Sequence, residues 1–254
     1  MDTVINIMRH ESVFNPVEHP YPVHIIGAGA TGSYVFASLV SLGVTNISVY
    51  DYDIVEEHNL ANQIYNGDDV GAYKVNACKK HYCRKLGVDT PPDTMRFINQ
   101  KVTPSFIEQE NNPFTGIVFL LTDTMDSRRN LFTALTRPHQ LNLVVPDRAR
   151  SATTPVLIIE TRMGSTHGNI FTVNPFNGAD REAWLSTLID DSDTDAIEMS
   201  PCGTALSVGP TAALIANYAV WQMMQFFVDP VGLQSRVDLF FKPTMTISSS
   251  SIAA

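Results

Sequence analysis

The spacing of apolar and polar positions changes several times along the chain, and each change marks an element. Residues 23–27 form a short unbroken apolar run, as expected of a parallel strand buried on both faces. From residue 30 to about 42, Tyr34, Val35, Ala37, Ser38 and Leu39 recur with a 3.6-residue period and predict a helix, which Gly43 stops. "NISVYD" reads as a second strand, "GAYKVNACKKHYCRKLG" as an amphipathic helix, and "GIVFLLTDT" as a central strand with Asp123 at its carboxyl end. This alternation predicts an α/β, Rossmann-like fold with a doubly wound, mostly parallel sheet. The second half differs. "TPVLIIETRMGSTHGNIFTVNP" is patterned as a hairpin, an antiparallel extension of the sheet. Residues 176–203 read as a long, polar, acidic loop, and residues 210–227 as a helix apolar almost all round, buried in the core or in a homodimer interface. An arm (1–22), one domain (23–247) and a flexible tail (248–254) complete the expected organisation.

Composition narrows the functional classes. With 254 residues, 44% of them hydrophobic, the chain can bury one large core. Seventeen Lys and Arg stand against 26 Asp and Glu, a net charge of -9, so no global basic field exists to hold a nucleic acid or an anionic membrane. The first residues lack the basic flank and apolar core of a signal peptide, and no run of 18 apolar residues could span a bilayer; a cytoplasmic location is expected. Cys78, Cys83 and Cys202 show no CxxC spacing, which argues against a disulfide framework and a structural zinc. His24, inside the first apolar run, is expected to pack in the core.

Candidate chemistry begins at the turn after the first strand. Gly27, Gly29 and Gly32 fit G-x-G-x-x-G, in which glycines allow a tight turn and let backbone approach a phosphate at a helix N-terminus. The same glycines also serve a tight strand-to-helix turn with nothing bound. Asp51, at the end of the second strand, is placed to accept hydrogen bonds from ribose hydroxyls. An NAD-dependent oxidoreductase would show this much too.

The continuation "DYDIVEEHNLANQIYNGDDVGAYK" resembles the signature of the ThiF/MoeB superfamily, the ATP-dependent activating enzymes of sulfur-carrier and ubiquitin-like proteins. Asp51, Asp53, Val55, Asn59, Leu60, Gln63, Gly71 and Lys74 fall in place. "LLTDTMDSRRN" matches the family's Asp followed five residues later by Arg, here Asp123 and Arg128, and "SPCGTALSVGP" resembles its cysteine segment, with Cys202 at the cysteine. The resemblance covers about residues 23–227 and is nearest to the short stand-alone ThiF-like proteins.

It implies adenylation of the C-terminal carboxylate of a small ubiquitin-like or sulfur-carrier protein ending in a Gly-Gly-type tail, with ATP and Mg²⁺ as cofactors. Lys74 would meet the phosphates, Asn59 hydrogen-bond one of them, Asp51 fix the ribose and Asp123 hold Mg²⁺. Lys74 could instead be a solvated helix lysine, Asp123 could instead cap the following helix, and Arg128 could be structural or adenine-adjacent. Cys202 is either a nucleophile or a buried small hydrophobe. The acidic run Asp190, Asp191, Asp193, Asp195 and Glu198 matches the family's crossover loop.

One departure bears on activity: the family pattern places an arginine where this chain has Asn62. Either a cation from elsewhere, such as Arg9 from the N-terminal arm of a partner subunit or Arg148, takes its place, or the chain is a nucleotide- or partner-binding scaffold with weakened or lost turnover.

Overall fold

The structure is a computed structural model that describes residues 5–109, 113–137, 154–189 and 206–252. The first half builds β1 (Val23–Ile26), α1 (Ala30–Ser41), β2 (Ile47–Tyr50), α2 (Lys74–Leu86), β3 (Arg96–Ile98), α3 (Pro104–Ile107), β4 (Gly116–Leu120) and α4 (Met125–Leu135). The second half adds β5 (Pro155–Met163), β6 (His167–Val173), α5 (Gly178–Ser186), α6 (Gly209–Val228), β7 (Arg236–Phe240) and β8 (Thr246–Ser250). The sheet order is β3-β2-β1-β4-β5-β6-β7-β8. The first five strands in that order are parallel and the last three pairings antiparallel. This is the predicted Rossmann-like α/β fold with its antiparallel extension.

Strand alternation divides the core in two. Val23 and Ile25 of β1, with Ile117 and Phe119 of β4, face one layer, where Val35, Phe36 and Leu39 of α1 and Ile215, Ala216 and Ala219 of α6 cover them. Ile26, Val118 and Leu120 face the opposite layer, against Ile107 of α3, Leu131 and Phe132 of α4 and Trp184 of α5. Because both faces are covered, all four residues of β1 and all five of β4 are buried, which is why these strands read as unbroken apolar runs. His24 packs in the second layer between Tyr50 and Phe114, and burial pushes its pKa down to about 4.

Two expectations change. The segment 176–203 does not open as a loop: α5 starts after Asn177, whose side chain accepts from the backbone N–H groups of Ala179 and Asp180. Its only fully buried side chain is Trp184, which stacks on Phe132 at 3.9 Å, so no apolar period announces it. Residues 248–250, expected in a free tail, belong to β8, whose five exposed residues are held by backbone pairing to β7. Helix α6 is buried along one face only, and Leu214, Trp221 and Val228 on it are exposed in the single chain.

The described part of the N-terminal arm folds back on its own chain. Phe14 is buried and His19 stacks on Phe227 near the end of α6, while His10 Nε2 lies 3.4 Å from the Leu42 carbonyl at the end of α1.

Candidate functional site

From β1 the chain steps to β2 and β3 on one side, then crosses to β4 on the other, so the strand order reverses between β1 and β4. In an open α/β sheet such a switch point leaves a crevice outside the carboxyl ends of the strands. One is present, with about 690 Å³ of space open to solvent, and Gly27, Gly29, Asp51, Lys74 and Asp123 line it.

The three glycines of the turn meet three different requirements. Gly27 has φ +99°, and a Cβ there would lie 2.5 Å from the Leu121 carbonyl oxygen of the neighbouring strand end. A Cβ on Gly32 would lie 2.0 Å from the Gly27 carbonyl oxygen, so Gly32 is where α1 touches the turn beneath it. A Cβ on Gly29 would meet nothing within 4 Å: this glycine keeps the space in front of α1 open. No side chain caps α1, and its first N–H groups carry the positive end of the helix dipole at the crevice.

Asp51 is 8% exposed and joins the turn to the next segment: Oδ2 accepts from Ala28 N at 2.7 Å and Oδ1 from Asp53 N at 2.8 Å. Burial still raises its pKa above the ordinary carboxylate value, despite both N–H groups and the charge of Lys74. Lys74 opens α2, where a cation works against the helix dipole. It is 8% exposed and held 3.0 Å from the Asp53 carboxylate. A freely solvated helix lysine would be neither buried nor paired.

Asp123 follows β4 and is exposed to the crevice. The cap of α4 is Thr124, whose Oγ1 accepts from Ser127 N at 3.2 Å, so the Asp123 carboxylate is not engaged as the helix cap. Beside it, Thr122 Oγ1 is buried with no hydrogen-bond partner among the described residues, an unmet polar group in the crevice wall.

Other expected residues lie elsewhere. Asn59 is buried but does not line the crevice; its Oδ1 accepts from Glu56 N at 2.9 Å and closes the capping box of a short 3₁₀ turn. Asn62 ends that turn, half-buried, with Oδ1 unpartnered among the described residues, and also lies outside the lining. Arg128 is structural: it pairs with Glu160 and donates to the carbonyls of Asp123 and Thr161. Arg9 sits on the arm near the far end of α1, a 12-residue helix about 18 Å long that starts at the crevice. Cys202, Arg148 and the acidic run 190–198 lie outside the described residues. Cys78 is fully buried, and burial pushes its thiol up to about 12.

Sequence reading missed Tyr52, Gln100 and Lys101, which also belong to the lining. Lys101 is exposed, its Nζ 5.3 Å from the centre of the Tyr52 ring, and among the described residues no carboxylate pairs with it. Its signal was positional: it follows β3, a three-residue strand with no apolar run to reveal it. Among the described residues, three carboxylates (Asp51, Asp53, Asp123) and two lysines (Lys74, Lys101) line the crevice, a charge of -1 from those side chains.

A sequence model of the ThiF family matches residues 20–252. Among solved structures, E. coli MccB with AMPCPP and MccA is similar at a TM-score of 0.65 and 16% identity, covering 99% of this chain and 73% of that one. PaaA is similar at a TM-score of 0.65 and 14% identity, covering 99% of this chain and 76% of that one. E. coli MccB with succinimide gives 0.63 and 16%; the match covers 91% of this chain and spans 64% of that chain's length. At such identities these likenesses show the fold. A search of curated protein sequences finds no match.

Proposed function

We propose that this chain, which belongs to the ThiF family, uses ATP to adenylate the C-terminal carboxylate of a small peptide or carrier protein, a ubiquitin-like or sulfur-carrier protein with a Gly-Gly-type tail being the finer reading. The observation that carries this is the crevice, where the open space before Gly29 adjoins the buried Lys74–Asp53 pair and the uncommitted carboxylate of Asp123. An oxidoreductase would use the glycines and Asp51 but has no need of a lysine and a second exposed acid beside them. The MccB structures determined with ATP, and with AMPCPP and MccA, support the choice of nucleotide and of a small partner.

In the reaction, a substrate carboxylate oxygen attacks the α-phosphorus; the bond to the bridging oxygen breaks, pyrophosphate leaves with that electron pair, and the acyl-adenylate remains. The N–H groups at the start of α1 face the phosphates, and Gly29 lets them approach. Asp51, held by two N–H groups, is a fixed acceptor for ribose hydroxyls. Lys74 meets charge that grows on the phosphate oxygens, and its pairing with Asp53 keeps it oriented beforehand. The described side chains of the lining sum to -1, which favours entry of a polyphosphate together with a cation. Asp123, an exposed carboxylate of the crevice with no ion-pair partner among the described residues, would fit Mg²⁺, which is commonly held by one or two carboxylates plus substrate phosphates. Such an ion neutralises charge on the phosphates.

The deciding experiment pairs calorimetric titration with ATP and NAD against pyrophosphate exchange in the presence of candidate small proteins. ATP binding with exchange supports adenylation. ATP binding without exchange for any partner would favour a scaffold, and NAD binding alone would reject the reading.

A further inference from the structure

Outside the crevice, a buried polar cluster surrounds Glu160, which is at 0% exposure in the second core layer. Its Oε1 is 3.0 Å from Arg128 Nε, an ion pair without the angle of a linear hydrogen bond. Its Oε2 accepts from Arg162 Nε at 3.0 Å and from Trp184 Nε1 at 3.2 Å. Arg162 is in turn fixed at the end of α5, donating at 2.8 Å to both the carbonyl and the hydroxyl of Thr187. Arg128 spreads its fork between Glu160, the Thr161 carbonyl (3.3 Å) and the Asp123 carbonyl (3.4 Å).

A cluster of this kind is poor value as a stabiliser, since removing three charges from water is costly and apolar side chains could fill the space. What it supplies is orientation. Asp123 lies in the short stretch between β4 and the Thr124 cap, and its carboxylate faces open crevice. On the core side Arg128 Nη1 holds the carbonyl of the same residue, and the rotamer of Arg128 is set by Glu160. We propose that Glu160 is a positioning residue for Asp123, acting through Arg128 so that the Asp123 carboxylate is pre-set for a nucleotide-bound divalent cation. This rests on the ATP reading above.

The test measures ATP affinity by calorimetry with Mg²⁺ and with chelator, in wild type, Arg128→Lys, Glu160→Gln and Trp184→Phe, each checked for folding by circular dichroism. Arg128→Lys keeps a buried cation beside Glu160 but loses the fork. It should lose about 10- to 100-fold of the Mg²⁺-dependent gain in affinity, the usual effect of removing a second-layer partner, and keep its affinity in chelator. Glu160→Gln, if folded, should do the same. Trp184→Phe removes one donor to Glu160 and leaves the Arg128 link intact, so it should keep the full Mg²⁺ gain while losing stability. A folded Arg128→Lys protein with the wild-type gain overturns the proposal, as does a Trp184→Phe protein that loses as much as Arg128→Lys. A wild-type protein that binds no ATP under either condition rejects the nucleotide reading itself, and this inference with it.

Discussion

Two glycines three residues apart should respond to the same substitution in opposite ways. In Gly32→Ala the new methyl would lie 2.0 Å from the Gly27 carbonyl oxygen, and about 3.5 Å is needed between non-bonded heavy atoms. The start of α1 and the turn must therefore separate by about 1.5 Å, and neither side of that contact is a flexible side chain. Overpacking of this kind costs about 3 kcal/mol or more, which for a domain of this size is a loss of roughly 6–12 °C in Tm. In Gly29→Ala the methyl meets nothing within 4 Å, so the loss of stability should stay well below that of Gly32→Ala, within about 1 kcal/mol. That methyl occupies the space that a phosphate needs. Losing one charge-assisted hydrogen bond to an N–H group at the start of α1 costs about 1.5–3 kcal/mol, or roughly 10- to 100-fold in ATP affinity. Urea unfolding without nucleotide, together with calorimetric titration, reads both effects. Wild-type ATP affinity in Gly29→Ala would refute the phosphate cradle; wild-type stability in Gly32→Ala would refute the close approach.

Asp123→Ala should leave the unfolding midpoint within about 0.5 kcal/mol, as for a surface position, and abolish pyrophosphate exchange; exchange at the wild-type rate would remove Asp123 from the site. Lys101→Ala should weaken ATP several-fold more than adenosine, because its charge has no carboxylate partner among the described residues, and equal losses would point to the Tyr52 contact instead. His24 has its folded pKa lowered to about 4 from 6.5, so the unfolded chain takes up a proton in that window while the folded chain does not. Stability should fall as the pH drops from about 6.5 to 4, by roughly 3 kcal/mol from this group, and His24→Gln should flatten that slope in urea melts.

The parallel half was legible because burial on both faces turns strands such as β1 and β4 into apolar runs that composition cannot disguise. Gly27, Gly29, Asp51, Lys74 and Asp123 were legible because each follows or opens such an element, so topology alone carries them to one sheet edge. Helix α5 was not, since one tryptophan and an asparagine cap hold it. Lys101 was not, because β3 is short and its residues are half-buried or exposed. Asn59 matched the motif, yet its carboxamide oxygen serves a local turn. Motif identity fixed the position of that residue, and its contact remained a matter of three-dimensional geometry.

The place of Asn62 bears on the expectation, drawn from the resemblance, of an arginine at that position. Its side chain ends a 3₁₀ turn outside the crevice lining, and the arm bearing Arg9 lies against the far ends of α1 and α6 of the same chain. Within one subunit, Arg9 is therefore not placed to take over the missing charge. The crevice carries Lys74, already paired with Asp53, and Lys101, which is not paired. With the described side chains of the lining summing to -1, the attraction that draws in a polyphosphate is expected to depend on the cation that Asp123 would hold. We therefore expect a steep requirement for Mg²⁺ in ATP binding, and a site that bound ATP equally well in chelator would have found its positive charge elsewhere.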